Sequence, residues 1–231
     1  MKTLLEKFSL LSLSLMLIST LSPSTALPQM ITTFAKQGYA ASQVEFLFSM
    51  SSFVILAMLL LNPIIDRFLS ERASIILGLL LVAFGGSMPV LLHSYSLVVV
   101  SRILLGIGIG LINSRAISII SETYVGNERA QMLGLRGSFE IIGNALLTVI
   151  VGFIVTLGWT WTFSVYLFAL PILAFYLIFA PKPNVEVEEV QHSETRAKFS
   201  KEDILYIVGL SLLAGFVINI NSANSLRIPV I

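Results

Sequence analysis

Cysteine is absent from the 231 residues, and histidine occurs only at His93 and His192. The first absence excludes disulfides, thiol catalysis and thiolate metal sites. The second leaves metal chemistry without a motif, because each histidine lies at or beyond a helix end with no second ligand nearby in sequence. Charge is scarce too: 12% of residues are Asp, Glu, Lys or Arg, against about 25% in an ordinary soluble protein. So little charge cannot cover a water-facing surface on a chain of this length. A net charge of +1 gives no basic field for nucleic acid. The apolar segments also lack a nucleophile–base pair, a carboxylate dyad and a metal cluster, so the chain does not read as an enzyme.

What is abundant is apolar sequence. Hydrophobic residues make up 56% of the chain, and the mean hydropathy is +0.91. Windows of roughly 20 apolar residues, the length that crosses a bilayer, fall at 8–34, 44–65, 74–92, 96–120, 133–157, 161–180 and 204–222. The expected fold is all-α, a polytopic membrane helix bundle whose first partner is the lipid bilayer. Turn chemistry or charge marks each break: Lys36-Gln37-Gly38, Asp66 to Arg72, His93-Ser94-Tyr95, Gly126-Asn127-Glu128-Arg129, Gly158-Trp159, and Pro181 to Asp203. The first window reads as a retained helix and not a signal peptide, because apolar character resumes at Leu27 and runs to Phe34.

Basic residues in short loops set orientation. With the N-terminus in the cytoplasm, the inner loops and helix ends hold Lys2, Lys7, Arg67, Arg72, Arg129, Arg136, Lys182, Arg196, Lys198 and Lys201, against Lys36 alone outside. A bacterial-type cell membrane with the N-terminus inside is therefore expected. The chain divides into a six-helix bundle at 1–181, a charged cytoplasmic linker at 182–203 and a further helix within 204–231. It stops at Ile231 soon after Asn219, Asn221, Asn224 and Arg227, so a fragment or truncated gene product is expected, with a second bundle normally to follow. A truncated membrane protein that does not transport is the alternative reading.

Two ionisable residues stand inside apolar windows at matched depth. Arg115 lies near the inner end of the fourth helix and Glu140 near that of the antiparallel fifth, each roughly 8–10 Å from its helix end at 1.5 Å per residue. A partnered charge is far cheaper in a membrane than a lone one, so a pair between Arg115 and Glu140 is expected. Such a pair reads either as a fixed tie that holds the bundle or, if Glu140 titrates, as a proton-coupling site with Glu140 as the best carrier candidate on the chain.

Three stretches carry a family pattern. Asn62-Pro63-Ile64-Ile65-Asp66-Arg67-Phe68-Leu69-Ser70-Glu71-Arg72 joins the second and third helices. Arg102-Ile103-Leu104-Leu105-Gly106-Ile107-Gly108-Ile109-Gly110 lies in the fourth. Ser121 to Ala130, followed by Leu133-Gly134-Leu135, joins the fourth and fifth. These resemble the major facilitator superfamily: its signature loop G-x-x-x-D-R-x-G-R-[KR], its fourth-helix pattern R-x-x-x-G-x-G, and its next connection. Asn62 and Leu69 stand where the family has glycine, and the Gly-Pro that ends a fifth-helix motif in drug antiporters is replaced by Gly143-Asn144-Ala145.

The resemblance implies a secondary transporter half that moves a small organic solute by alternating access, with a second six-helix half as partner. It assigns Asp66, Arg67 and Arg72 to a conformational latch. Arg102 becomes a transport residue, beside Arg115 and Glu140 read from the residues themselves. Gln29, Asn113 and Asn144 become cavity residues. Gly106 and Gly110, four apart on one helix face, pack against another helix. No cofactor is implied beyond a proton as coupling ion, and efflux by antiport is the expected direction.

Overall fold

The computed structural model describes residues 4–17, 19–180 and Gly209. The expected linker at 182–203 and, Gly209 apart, the helix within 204–231 lie outside the described residues. The first compact unit ends at Ala180.

Helix follows helix, with no strand among the described residues. Five helices are long and apolar enough to cross a bilayer: α2 Ala41–Ile65, α3 Glu71–Val90, α4 Tyr95–Thr123, α5 Gly126–Leu157 and α6 Trp159–Phe179. Before them, α1 covers residues 4–35. It is α-helical over Leu4–Ser12 and Leu27–Ala35, and winds more tightly over Leu13–Met16 and Ser19–Ala26. Pro23 lies inside that tight stretch, where its missing N–H prevents an ordinary helical ladder. Some hydroxyls of α1 turn back on their own helix, while those of Ser9, Ser14, Ser22 and Thr25 find no partner among the described residues. Ser12 donates to the Ser9 carbonyl at 2.8 Å and Ser19 to the Met16 carbonyl at 2.6 Å, which is how such residues reside in an apolar setting.

α5 begins at Gly126, earlier than the apolar window at 133. Arg129 therefore lies on helix and not in a loop. Charged residues in a first turn do not break a helix, so apolar pattern alone places this boundary too late.

α4 is the central pillar. Just over half of its most apolar window is buried, against 28% for α2 and 17% for α5. Its glycines allow close approach. A Cβ on Gly106 would stand 2.7 Å from Val54 Cβ and 2.8 Å from the Ser51 carbonyl of α2, and one on Gly108 would stand 2.7 Å from the Gly78 carbonyl of α3. Gly110 faces Met58 in the same way. Asn62, where the family pattern has glycine, is buried and donates to the Gly110 carbonyl at 3.2 Å. The α2–α4 seam is thus closed by α4 glycines and by a hydrogen bond in place of a glycine on α2.

The two ends of the bundle differ. One carries Lys7, Arg67, Arg72 and Arg129 and is the basic end. Here Lys7 pairs with Glu128 at 2.5 Å and sits 5.7 Å over the Tyr124 ring, tying the start of α1 to the α4–α5 connection. The Tyr124 phenol is pushed up to about 12, first by burial and then by the nearby Glu128 and Glu6 carboxylates. The other end is aromatic: Tyr39 stacks on Tyr95 at 4.1 Å, and Phe34 meets Tyr95 at 5.6 Å and Trp159 at 5.4 Å. A turn at Gly158, with φ of 121°, links α5 to α6 here.

Candidate functional site

The α2–α3 connection at the basic end is held by a charge from α4. Arg115 Nη2 lies 2.6 Å from Asp66 Oδ1, and the same nitrogen donates to the Leu69 carbonyl at 3.3 Å. Asp66 closes α2, whereas the N-terminus of α3 is capped by Ser70, whose hydroxyl accepts from the Ala73 N–H at 3.4 Å. Arg72 reaches sideways to the Leu177 carbonyl of α6 at 3.4 Å. Arg67 is exposed. The short connection is thereby fastened to α4 by Arg115 and to α6 by Arg72.

The expected Arg115–Glu140 pair does not form. Arg115 is taken by Asp66, and Glu140 pairs with Arg136 one turn back on its own helix, Nη1 to Oε2 at 3.5 Å. The matched depth rested on a fifth helix starting at 133; with α5 starting at Gly126, Glu140 stands fourteen residues into its helix and Arg115 only eight from the end of α4, so the two are not level. Arg136 also donates to Asn113 Oδ1 of α4 at 2.5 Å. Asn113, Arg136 and Glu140 form one polar group joining α4 to α5, with Arg136 and Glu140 only 13% and 22% exposed. Asn113 and Arg136 each stand ten residues from the basic end of their helices, roughly 15 Å into the span.

Arg102 forms a third centre, nearer the aromatic end. Its side chain is 0% exposed. Nη1 donates to the Tyr166 hydroxyl at 3.0 Å, and that hydroxyl donates to the Ser19 carbonyl at 3.0 Å. Ser19 opens the tightly wound stretch that contains Pro23, and its carbonyl takes this hydroxyl from α6. The Tyr166 ring fits only because residue 86 is glycine: a Cβ there would stand 2.6 Å from Tyr166 Cγ. Arg102's own carbonyl accepts from the Ser51 hydroxyl of α2 at 3.1 Å.

The remaining residues singled out in the sequence lie apart from these centres. Gln29 is exposed and donates to the Val155 carbonyl at 3.2 Å, joining α1 to the end of α5. Asn144 is half-buried, with its side-chain oxygen unpartnered among the described residues. Its neighbour Gly143 lies against the Leu15 backbone of α1.

The family model described as Major Facilitator Superfamily matches residues 9–230. The chain belongs to the major facilitator superfamily. No curated protein matches it. It is thus a major-facilitator-type transporter in its general character, and the Asp66–Arg115 contact lies in the superfamily's signature loop.

Several residues of these centres are not singled out by sequence reading. Arg136 reads in the sequence as a charge near a helix end, although its four-residue spacing from Glu140 is the ordinary sign of a helical ion pair. Tyr166 carries no motif. Gly86 carries no signal separable from packing.

Proposed function

We propose that the chain carries a small organic solute out of the cell in exchange for protons, with residues 1–181 rocking as one half against a second six-helix half. Membership of the superfamily supports solute transport. The observation that carries the coupling is the Asn113–Arg136–Glu140 group, a carboxylate in mid-helix bonded to an arginine that has an alternative acceptor. Protonating Glu140 ends its pairing with Arg136 and leaves the arginine on Asn113. Releasing the proton restores the pair. A partnered charge costs much less in an apolar bundle than a lone one, so the two protonation states favour different arrangements of α4 and α5.

The Asp66–Arg115 contact acts in this reading as a latch on the α2–α3 connection, with Arg72 as its second fastening and Arg67 as an orientation-setting charge. The grouping of Lys7, Arg67, Arg72 and Arg129 at one end supports a cytoplasmic N-terminus in the cell membrane. The low burial of α2 and α5, with Phe53, Leu60, Ile141 and Phe153 exposed, supports a facing half along those helices.

The test is Glu140→Gln in proteoliposomes, with a panel of labelled organic acids, amines and neutral solutes. Uphill flux driven by a pH gradient should be lost, while exchange of labelled for unlabelled solute without a gradient persists. Gradient-driven flux equal to wild type would refute proton coupling at Glu140.

A further inference from the structure

Arg102 is a buried cation with one of its three side-chain nitrogens engaged. Its guanidinium carbon lies 4.7 Å from the Phe48 ring centre and 4.7 Å from that of Phe163, so two aromatic rings pack against it. On the edge, Nη1 is bonded to Tyr166. Nε and Nη2 find no acceptor among the described residues, and the ion pairs among those residues do not include Arg102. Ring contacts offset part of the cost of a buried charge, but they give no acceptor to an N–H that points along the ring plane.

Nε–H and Nη2–H share one edge of the guanidinium and point the same way. That pair of parallel donors matches the two oxygens of a carboxylate, the arrangement in which arginine binds such groups most strongly. We propose that this edge of Arg102 receives the carboxylate of the transported solute, so that the cargo is an organic monocarboxylate with an apolar body. This rests on the transporter reading above. One guanidinium balances one carboxylate. Phe48 and Phe163 give the rest of the ligand apolar, flat neighbours, and a cationic solute would be repelled.

The approach is also built. Arg102 lies seven residues into α4, roughly 10 Å from its aromatic end. Between them runs a chain of rings: Phe34 meets Trp159 at 5.4 Å, and Trp159 meets Phe163 at 6.1 Å. Phe163 is itself one wall of the cage. A ligand entering along these rings from that end would displace Trp159 or Phe163.

That displacement supplies the readout. The chain has two tryptophans, so Trp161→Phe leaves Trp159 as the sole indole. Benzoate titrated onto the purified full chain should give a saturable change in Trp159 emission. Benzamide, of the same shape without the charge, should give none. Arg102→Gln should lose the response, and Arg102→Lys, which keeps the charge but not the fork, should weaken it at least tenfold. Because Arg102 variants can fail to fold, benzamide titrated onto the parent chain is the companion measurement: it needs no substitution at Arg102, and its silence beside a benzoate response keeps the site falsifiable. An equal response to benzamide, or benzoate binding retained in a folded Arg102→Gln, would overturn the site. A response to formate as strong as that to benzoate would mean a small resident anion and overturn the cargo assignment. Transport of amines or neutral solutes unaffected by benzoate would overturn it too, while leaving the transporter reading standing. Arg102-dependent benzoate binding with no flux of any solute would instead overturn the transporter reading and leave the carboxylate site.

Discussion

Gly106→Ala adds one methyl group at a close approach in the α2–α4 seam. The new Cβ would stand 2.7 Å from Val54 Cβ and 2.8 Å from the Ser51 carbonyl, where carbon contacts normally lie at about 3.5–4.0 Å. The Ser51 carbonyl is backbone and cannot rotate away, so the helices must separate. Such overpacking costs about 1–3 kcal/mol. Separation also strains the Ser51–Arg102 and Asn62–Gly110 hydrogen bonds, which cross the same seam and are worth about 0.5–1.5 kcal/mol each. Alanine returns about 1 kcal/mol through its helix propensity. The net loss is about 1–3 kcal/mol, which lowers the melting temperature by roughly 3–9 °C at the usual scaling for a chain of this size. Gly134→Ala is the matched control, because nothing lies within 4 Å of a Cβ there. It keeps the propensity gain and should melt at or slightly above wild type. Thermal melts of the purified chain in detergent, followed by circular dichroism, decide the matter. A Gly106→Ala protein as stable as wild type, or a Gly134→Ala protein destabilised equally, would refute close packing at this seam.

Other consequences follow from named contacts. Asp66→Asn should shift the conformational equilibrium of the latch and speed protease cleavage at the α2–α3 connection several-fold; the exchange Asp66→Arg with Arg115→Asp should restore wild-type cleavage if the pair alone is responsible, and failure of that rescue would point to the Arg115–Leu69 bond. Gly86→Ala should displace the Tyr166 ring from Arg102 and Ser19, lowering the melting temperature by several degrees, with Tyr166→Phe producing a smaller loss of about 1 kcal/mol. Asn62→Leu should destabilise the seam by about 1–3 kcal/mol, because the buried Gly110 carbonyl loses its side-chain donor; an unchanged melt would show that this bond contributes nothing.

The spans were legible because apolar runs and turn residues report directly on bilayer crossing. α2, α3, α4 and α6 fall within a few residues of their windows. α5 was misjudged by seven residues at its start, where Asn127, Glu128 and Arg129 form a polar first turn that composition cannot tell from a loop. Pairings were harder. The neighbours of Arg115 and Glu140 depend on the azimuth of each helix and on which loop folds back, and a one-dimensional depth estimate carries neither. The Arg136–Glu140 spacing lay in plain view inside the fifth window, but the pairing with Arg115 drew on depth and not on spacing. The Arg102 cage joins residues from α1, α2, α4 and α6, so no local pattern could announce it. Arg102 itself, a charge inside an apolar window, was its one local sign.

Proton movement measured alongside solute movement tests the central claim most directly. The purified chain is sealed into vesicles containing a pH-sensitive dye, and members of the solute panel are added without any imposed gradient. Proton-coupled exchange requires a change in internal pH that follows the addition of a transported solute, scales with its flux and disappears in Glu140→Gln. Solute crossing at full rate with no accompanying pH change would contradict it.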